Sequence, residues 1–296
     1  MKCRIGMLLV LGLVPILPAE SYTFTSLLFP GAGNSVASGI NDLGTIVGFP
    51  GAAQSFIFQN GTYILLAVSG SVFTSANGIN VRGDIVGRYG VGGFQNNQGF
   101  ILQGSVLTTI DFPGASASGG TTASGINSRV EIVGFYRDND SRFHGFLRKK
   151  DQYTAIDVPF PDASNTQALG INDCGEIVGE YTGSDGRIHG FFKEGSSFTR
   201  LDVPFRDVSQ TFANGINNRG EIVGTYVDSD HAVHGFIFAK GEFTKLDASF
   251  PDIPDVAATL VMGINNLGEI VGEYTRRSEP PGRTFGFLGK PLKAGQ

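Results

Sequence analysis

The chain has 296 residues, with 43 Gly, 24 Phe, 8 Tyr, no Trp and only 17% charged side chains. So large an apolar and aromatic share excludes a disordered chain, and the glycine load excludes a helical bundle, because each interior glycine costs a helix about 1 kcal/mol relative to alanine. A net charge of −5 with no Lys/Arg run leaves no electrostatic footprint for nucleic acid.

The chain opens MKCRIGMLLVLGLVPILPAESY. Lys2 and Arg4 make a basic start, Met7–Leu17 is apolar, and Pro18–Ala19 is a small-residue exit. This layout predicts a signal peptide over residues 1–19, cleaved after Ala19, and a repeat domain over 20–296. The apolar run is shorter than the about 20 residues a spanning helix needs, and no other stretch could span. The expected protein is therefore secreted, extracellular or periplasmic. It has two cysteines, Cys3 and Cys174, and loss of the leader leaves Cys174 as an expected lone thiol in an NDCG turn.

One phrase then recurs six times: GINDLGTIVG from Gly39, GINVRGDIVG from Gly78, GINSRVEIVG from Gly125, GINDCGEIVG from Gly170, GINNRGEIVG from Gly215 and GINNLGEIVG from Gly263. Successive starts are 39, 47, 45, 45 and 48 residues apart. Each phrase is followed by a loop and an aromatic segment such as HGFFKEG or HGFIFAKG, and in the middle repeats by a fourth segment such as FTRLDVP. Each unit thus predicts four short strands, here a (ending in GIN), b (EIVGxY), c (HGFxF) and d (FTxLDxP). The Asn-x-x-Gly between a and b is hairpin chemistry, since Asn satisfies nearby backbone and Gly takes positive φ. Four-stranded units of about 45 residues are the signature of propeller blades.

Only a, b and c follow the last GIN, whereas Tyr22–Ala32 (YTFTSLLFPGA) reads as a strand d placed first. The expected fold is all-β: a six-bladed β-propeller of four-stranded antiparallel blades, closed by an N-terminal strand that completes the last blade. Such closure removes the open edges an incomplete ring would carry.

With its GIN-x-x-G-x-IVG phrase and following aromatic HxF motif, best seen in Gly215–Gly224 with His234, Gly235 and Phe236, the chain resembles the HAF-type extracellular repeat proteins from about Tyr22 to Leu288. Ser55 and Gln98 stand in place of the motif histidine, and Val130 in place of a turn glycine. The resemblance implies secretion and a repeat fold; it implies no activity, substrate or catalytic residue.

His144, His189 and His234 recur at the start of strand c. Two strand spacings outward from the inner strand, the rings of neighbouring blades lie about 17 Å apart, too far to share a metal, so each is expected to hydrogen-bond within its own blade. Asp111, Asp157, Asp202 and Asp247 at the end of d, and Asn41, Asn80, Asn127, Asn172, Asn217 and Asn265 in the turns, recur too regularly for an active site and are expected to be architectural. The b–c loops RDNDSR (137–142), TGSDGR (182–187) and VDSDHA (227–232) alternate carboxylates as calcium loops begin, best at Asp138 with Asp140 or Asp228 with Asp230, yet none continues to a full loop. No cofactor is expected beyond this calcium alternative. No G-x-S-x-G elbow, Cys–His signature or phosphate loop is present.

The a–b and c–d turns should lie on one face and be nearly invariant. The longer, variable and acidic b–c and d–a connections should lie on the other, with Asp138, Asp140, Asp162, Asp185, Asp207, Asp228, Asp230, Asp252 and Asp255. Variable loops on a rigid scaffold are where binding resides, so the functional surface is expected on that face and around the channel mouth. The reading is a monomeric, non-catalytic extracellular binding module for a glycan, protein surface or other ligand. The alternatives are a glycan-active hydrolase or lyase with carboxylates about 5–9.5 Å apart at the channel mouth, and a mainly structural surface component.

Overall fold

The computed structural model describes residues 22–51, 53–92, 97–117 and 119–292. The expected leader, residues 1–19, lies outside them. Among the described residues every regular element is a β-strand. β1 (Tyr22–Leu27) comes first. Blade 1 follows with β2 (Val36–Ile40), β3 (Ile46–Phe49), β4 (Ser55–Gln59) and β5 (Thr62–Leu66), and blade 2 with β6 (Phe73–Ile79), β7 (Ile85–Gly90), β8 (Asn97–Gln103) and β9 (Val106–Ile110). Blade 3 is β10 (Thr121–Ile126), β11 (Ile132–Arg137), β12 (Phe143–Lys149) and β13 (Gln152–Ile156). Blade 4 is β14 (Ser164–Ile171), β15 (Ile177–Thr182), β16 (Ile188–Glu194) and β17 (Ser197–Leu201). Blade 5 is β18 (Val208–Ile216), β19 (Ile222–Asp228), β20 (Val233–Ala239) and β21 (Glu242–Leu246). Blade 6 takes β22 (Val256–Ile264), β23 (Ile270–Arg276) and β24 (Phe285–Pro291), and β1 joins it.

The sixth sheet runs β1-β24-β23-β22, with Tyr22 opposite Pro291 and Leu27 opposite Gly286. The N-terminal strand therefore occupies the d position of the last blade, as the sequence predicts. All six sheets are antiparallel and four-stranded, and β2 packs on β22 and β23 as each inner strand packs on the preceding blade. The chain is a closed six-bladed β-propeller.

Six apolar clusters fill the six blade interfaces. Phe192 and Leu201 of blade 4 pack with Ala213, Ile222, Phe236 and Phe238 of blade 5, and Leu27 and Val271 of blade 6 close the circle on Ala37, Ile46 and Phe56 of blade 1. The phenylalanine of strand c (Phe56, Phe100, Phe146, Phe191, Phe236, Phe287) is fully buried in every blade. Burying each contributes about 1.5–3 kcal/mol.

Every inner strand carries the same irregularity. The a–b register shifts between Ala37 and Gly39, Ala76 and Gly78, Ala123 and Gly125, Ala168 and Gly170, Ala213 and Gly215, and Val261 and Gly263. One residue is skipped each time, and such a β-bulge re-aims its side chain. The glycine after it is required sterically. A Cβ on Gly39 would lie 3.1 Å from the Cα of Gly78, one on Gly170 3.1 Å from the Cα of Gly215, and one on Gly263 3.4 Å from the Cα of Gly39. The six glycines meet around the axis because the inner strands crowd there.

Strand boundaries differ from the expected ones in one respect. The Asn of GIN and the acid of EIVG lie in the turn, because each turn Asn accepts hydrogen bonds from backbone N–H groups two and four residues ahead, as Asn172 does from Cys174 and Glu176.

Candidate functional site

The axis has two different mouths. On the face of the a–b turns, the six turn asparagines close a ring of hydrogen bonds. Each Nδ2 donates to the backbone carbonyl of the equivalent asparagine one blade on: Asn41 to Asn80, Asn80 to Asn127, Asn127 to Asn172, Asn172 to Asn217, Asn217 to Asn265 and Asn265 back to Asn41, all at 3.0–3.1 Å. In blades 2–6 the same amide also donates to the acid four residues on (Asp84, Glu131, Glu176, Glu221, Glu269) at 2.5–2.8 Å. These asparagines are turn residues, as expected, and also an inter-blade lock the sequence did not reveal.

Outside that ring lies a cavity of about 290 Å³. The next residue along adds a second, interrupted polar arc: Ser128 N donates to Asp173, Asp173 N to Asn218, Asn218 N to Asn266 and Asn266 N to Asp42, each at 2.8 Å. Burial raises the Asp173 carboxyl, but hydrogen bonds from Ser128 and Asn218 and the charge of Arg129 outweigh it and leave its pKa lowered. The polar groups of this mouth are largely bonded to one another, which makes it a scaffold more than an open site.

The opposite mouth, on the b–c/d–a face, is built from the bulges. Its cavity of about 320 Å³ is lined by the six bulge residues, Ser38, Asn77, Ser124, Leu169, Asn214 and Met262. Beside these invariant glycines the bulge position differs widely from blade to blade. The neighbouring position on strand b varies as much: Phe49, Arg88 and Phe135 line the cavity, and Glu180, Thr225 and Glu273 occupy the equivalent places in blades 4–6. A sixfold frame thus carries an asymmetric lining. The signal was available by superposing the six repeats, where Ser, Asn, Ser, Leu, Asn and Met precede an otherwise constant GIN.

Charge on this side is also uneven. Burial lowers the pKa of the Arg88 guanidinium. Burial pushes the Glu180 carboxyl up to about 7, with Gln167 Nε2 donating to it at 3.0 Å. Burial raises Glu273 as well, against a hydrogen bond with Thr284.

The aspartates singled out from sequence lie on this face too, farther from the axis, and none lines either mouth. Asp138, Asp185 and Asp228 serve the histidines. In blade 3, His144 sits between Asp157, 2.9 Å from Nδ1, and Asp138, 3.1 Å from Nε2. In blade 4, His189 sits between Asp202 and Asp185, both at 3.1 Å, and in blade 5 His234 between Asp247 at 3.0 Å and Asp228 at 3.5 Å. A tyrosine ring packs on each imidazole at 5.0–5.4 Å (Tyr136, Tyr181, Tyr226). The histidines therefore bond within their own blades, as expected, and the strand-d aspartates are their partners. Desolvation lowers the His144 pKa, but the hydrogen bonds and charges of Asp138 and Asp157 prevail and raise it. Each ring nitrogen of His144 faces a carboxylate, an arrangement that favours the doubly protonated ring.

Asp138 and Asp228 also accept backbone N–H groups of their own loops, from Arg142 at 2.8 Å and from Ala232 at 2.9 Å. Asp140, Asp162, Asp207, Asp230 and Asp252 are exposed loop residues. Among the described residues no group of three or more His, Cys, Asp or Glu could hold a metal ion, and no helix is long and apolar enough to cross a membrane.

No protein-family model matches the chain, and no curated protein matches it. Solved structures do. A TolB of Agrobacterium tumefaciens superposes with a TM-score of 0.58 at 13% identity, over 87% of this chain and 91% of that one. The SapL1 lectin in complex with alpha methyl fucoside gives 0.56 at 12%, over 90% and 98%. Virginiamycin B lyase from Staphylococcus aureus gives 0.51 at 10%, over 92% and 100%. At these identities the likeness is one of fold. It is the propeller fold that they share.

Proposed function

We propose that this propeller is an exported, monomeric, non-catalytic binding module of the HAF type, and that its ligand enters the channel mouth on the b–c/d–a face. The observation that carries the reading is the divergence of the six bulge residues in an otherwise repeated frame. A cavity of about 320 Å³ lies at the small end of the range for small-molecule sites, and its mixed polar and apolar lining suits a ligand without sixfold symmetry. The exposed loop aspartates Asp140, Asp162, Asp207, Asp230 and Asp252, with Asp138, Asp185 and Asp228 behind them, form an acidic surround for a larger extracellular glycan or protein surface. The leader supports export, and the acidic net charge speaks against nucleic acid.

One observation favours a second reading, an extracellular hydrolase or lyase acting on glycans. Glu180, pushed up to about 7, has the proton affinity of a general acid at neutral pH. A panel of oligosaccharides and small acids, followed for both binding and turnover, separates the two. Saturable binding without product supports the module. Turnover that falls at least 100-fold in Glu180→Gln establishes the enzyme instead.

A further inference from the structure

The bulge mouth holds a cation, Arg88, that has no carboxylate partner among the described residues. Arg88, half-buried on β7, lines the cavity beside Asn77 and Ser75. Among the described residues it makes no ion pair and no side-chain hydrogen bond; its guanidinium lies 5.7 Å from the centre of the Phe73 ring. The other arginines beside carboxylates, such as Arg276 with Asp255 at 3.1 Å, show the usual arrangement. A desolvated guanidinium without an anion is costly, and its planar fork matches a carboxylate in two parallel hydrogen bonds.

The surroundings narrow the class. Phe49 and Phe135, at the equivalent positions of the two neighbouring blades, flank Arg88 along the cavity wall. Ser38 and Ser124 bring hydroxyls that make no side-chain hydrogen bond among the described residues. One lining cation, with Thr225 at the equivalent position of the opposite blade, suits a monoanion. A dianionic phosphate would keep one charge unpaired in a half-buried site.

We infer that the bulge mouth is a binding site for a small monocarboxylic acid with a ring-shaped or apolar body, its carboxylate held by Arg88 and its body between Phe49 and Phe135. The inference rests on the binding-module reading and specifies its ligand class. Aromatic walls suit either an aromatic acid or the flat face of a sugar acid, and the carboxylate is the shared chemistry.

The test is titration of the full chain by calorimetry with benzoate, cyclohexanecarboxylate and galacturonate, with benzamide as the neutral isostere and inorganic phosphate as a rival anion. At least one carboxylate is expected to bind, benzamide at least tenfold more weakly than benzoate. Arg88→Gln should weaken carboxylate binding at least tenfold and Arg88→Lys less, both with unchanged circular dichroism. A double variant, Ser38→Met with Ser124→Met, fills the cavity with a side chain the frame already accepts at Met262 and should abolish binding. Carboxylate binding indifferent to Arg88→Gln, tighter binding of phosphate, or no carboxylate binding would each overturn the proposal. If neutral probes bind and are lost only in the double variant, the binding-module reading survives without the acid. If no probe responds to the filled cavity, both fail.

Discussion

Asn265 Nδ2 donates to the backbone carbonyl oxygen of Asn41 at 3.0 Å, joining residues 224 apart in sequence. It is the bond that makes a circle out of five otherwise sequential asparagine bridges between blades. Asn265 Oδ1 also accepts from Leu267 N and Glu269 N, so the one side chain shapes its own turn and ties the last blade to the first.

Replacing Asn265 by Ala takes the acceptor from the partly buried Leu267 N and Glu269 N and removes one of the two bonds to the Asn41 carbonyl, which keeps Gly44 N as its donor. The expected cost is about 3 kcal/mol, measured by urea unfolding. Asn265→Asp keeps the turn acceptors but sets a carboxylate against Glu269 and the Asn41 carbonyl. It should be more destabilising at pH 7 than at pH 4. Equal stability of Asn265→Ala and the parent would show that the ring contributes nothing.

Removing Tyr22–Phe29 should cost more than about 3 kcal/mol. Leu27 is 5% exposed in the interface with blade 1, and Phe24 lies 5.6 Å from Phe287 in an edge-to-face contact. The deletion also uncovers the edge of β24, so the truncated chain should aggregate. An unchanged melting temperature would refute the closure by β1.

Val130 occupies the turn position that is glycine in the other blades, with φ of 60°. A β-branched residue there is strained by about 1–2 kcal/mol. Val130→Gly should therefore raise the stability by about 1 kcal/mol once the glycine's greater unfolded-state freedom is deducted. Thermal unfolding of the variant checks the sign; a lower melting temperature would mean that the partly buried Val130 methyls outweigh the strain.

Glu180 binds its proton more tightly in the fold, with a pKa of about 7 against the ordinary 4.5, because burial disfavours the charge. The native state then holds a proton that the unfolded chain releases. Stability from this group is present below pH 4.5 and is lost as pH rises toward 7. Glu180→Gln keeps an acceptor for Gln167, so its advantage over the parent should grow between pH 5 and pH 8. A constant difference across that window would contradict the burial account.

The fold was legible because its determinants are local and repeated. Asn and Gly in a fixed phrase mark a hairpin, the strand-c phenylalanine marks a blade core, and Tyr22–Leu27 carries a strand-d pattern displaced to the front. The pairing of His144 with Asp157 was half legible: both recur, but their contact across β12 and β13 depends on register. The asparagine ring was not legible at all, since a turn asparagine looks the same whether or not its amide reaches the next blade. Nor was the bulge. The variation of the residue before each GIN was visible on superposing the repeats, but not that this residue is skipped in the register, and only the bulge turns Ser38 and Asn77 from strand residues into channel lining. The candidate surface was accordingly expected on the b–c/d–a face and around the channel mouth, with loop aspartates as its residues, whereas the cavity at that mouth is lined by strand residues nearer the axis.

The central claim is that ligand enters the bulge mouth. It is tested most directly by mapping backbone amide shifts in the labelled full chain as a bound carboxylate or oligosaccharide is added. The account predicts that the largest shifts fall at Ser38, Asn77, Arg88 and Ser124, with Asn41, Asn127 and Asn217 on the opposite face unmoved. Shifts confined to the asparagine mouth, or to the loops around Asp140 and Asp230, would contradict it.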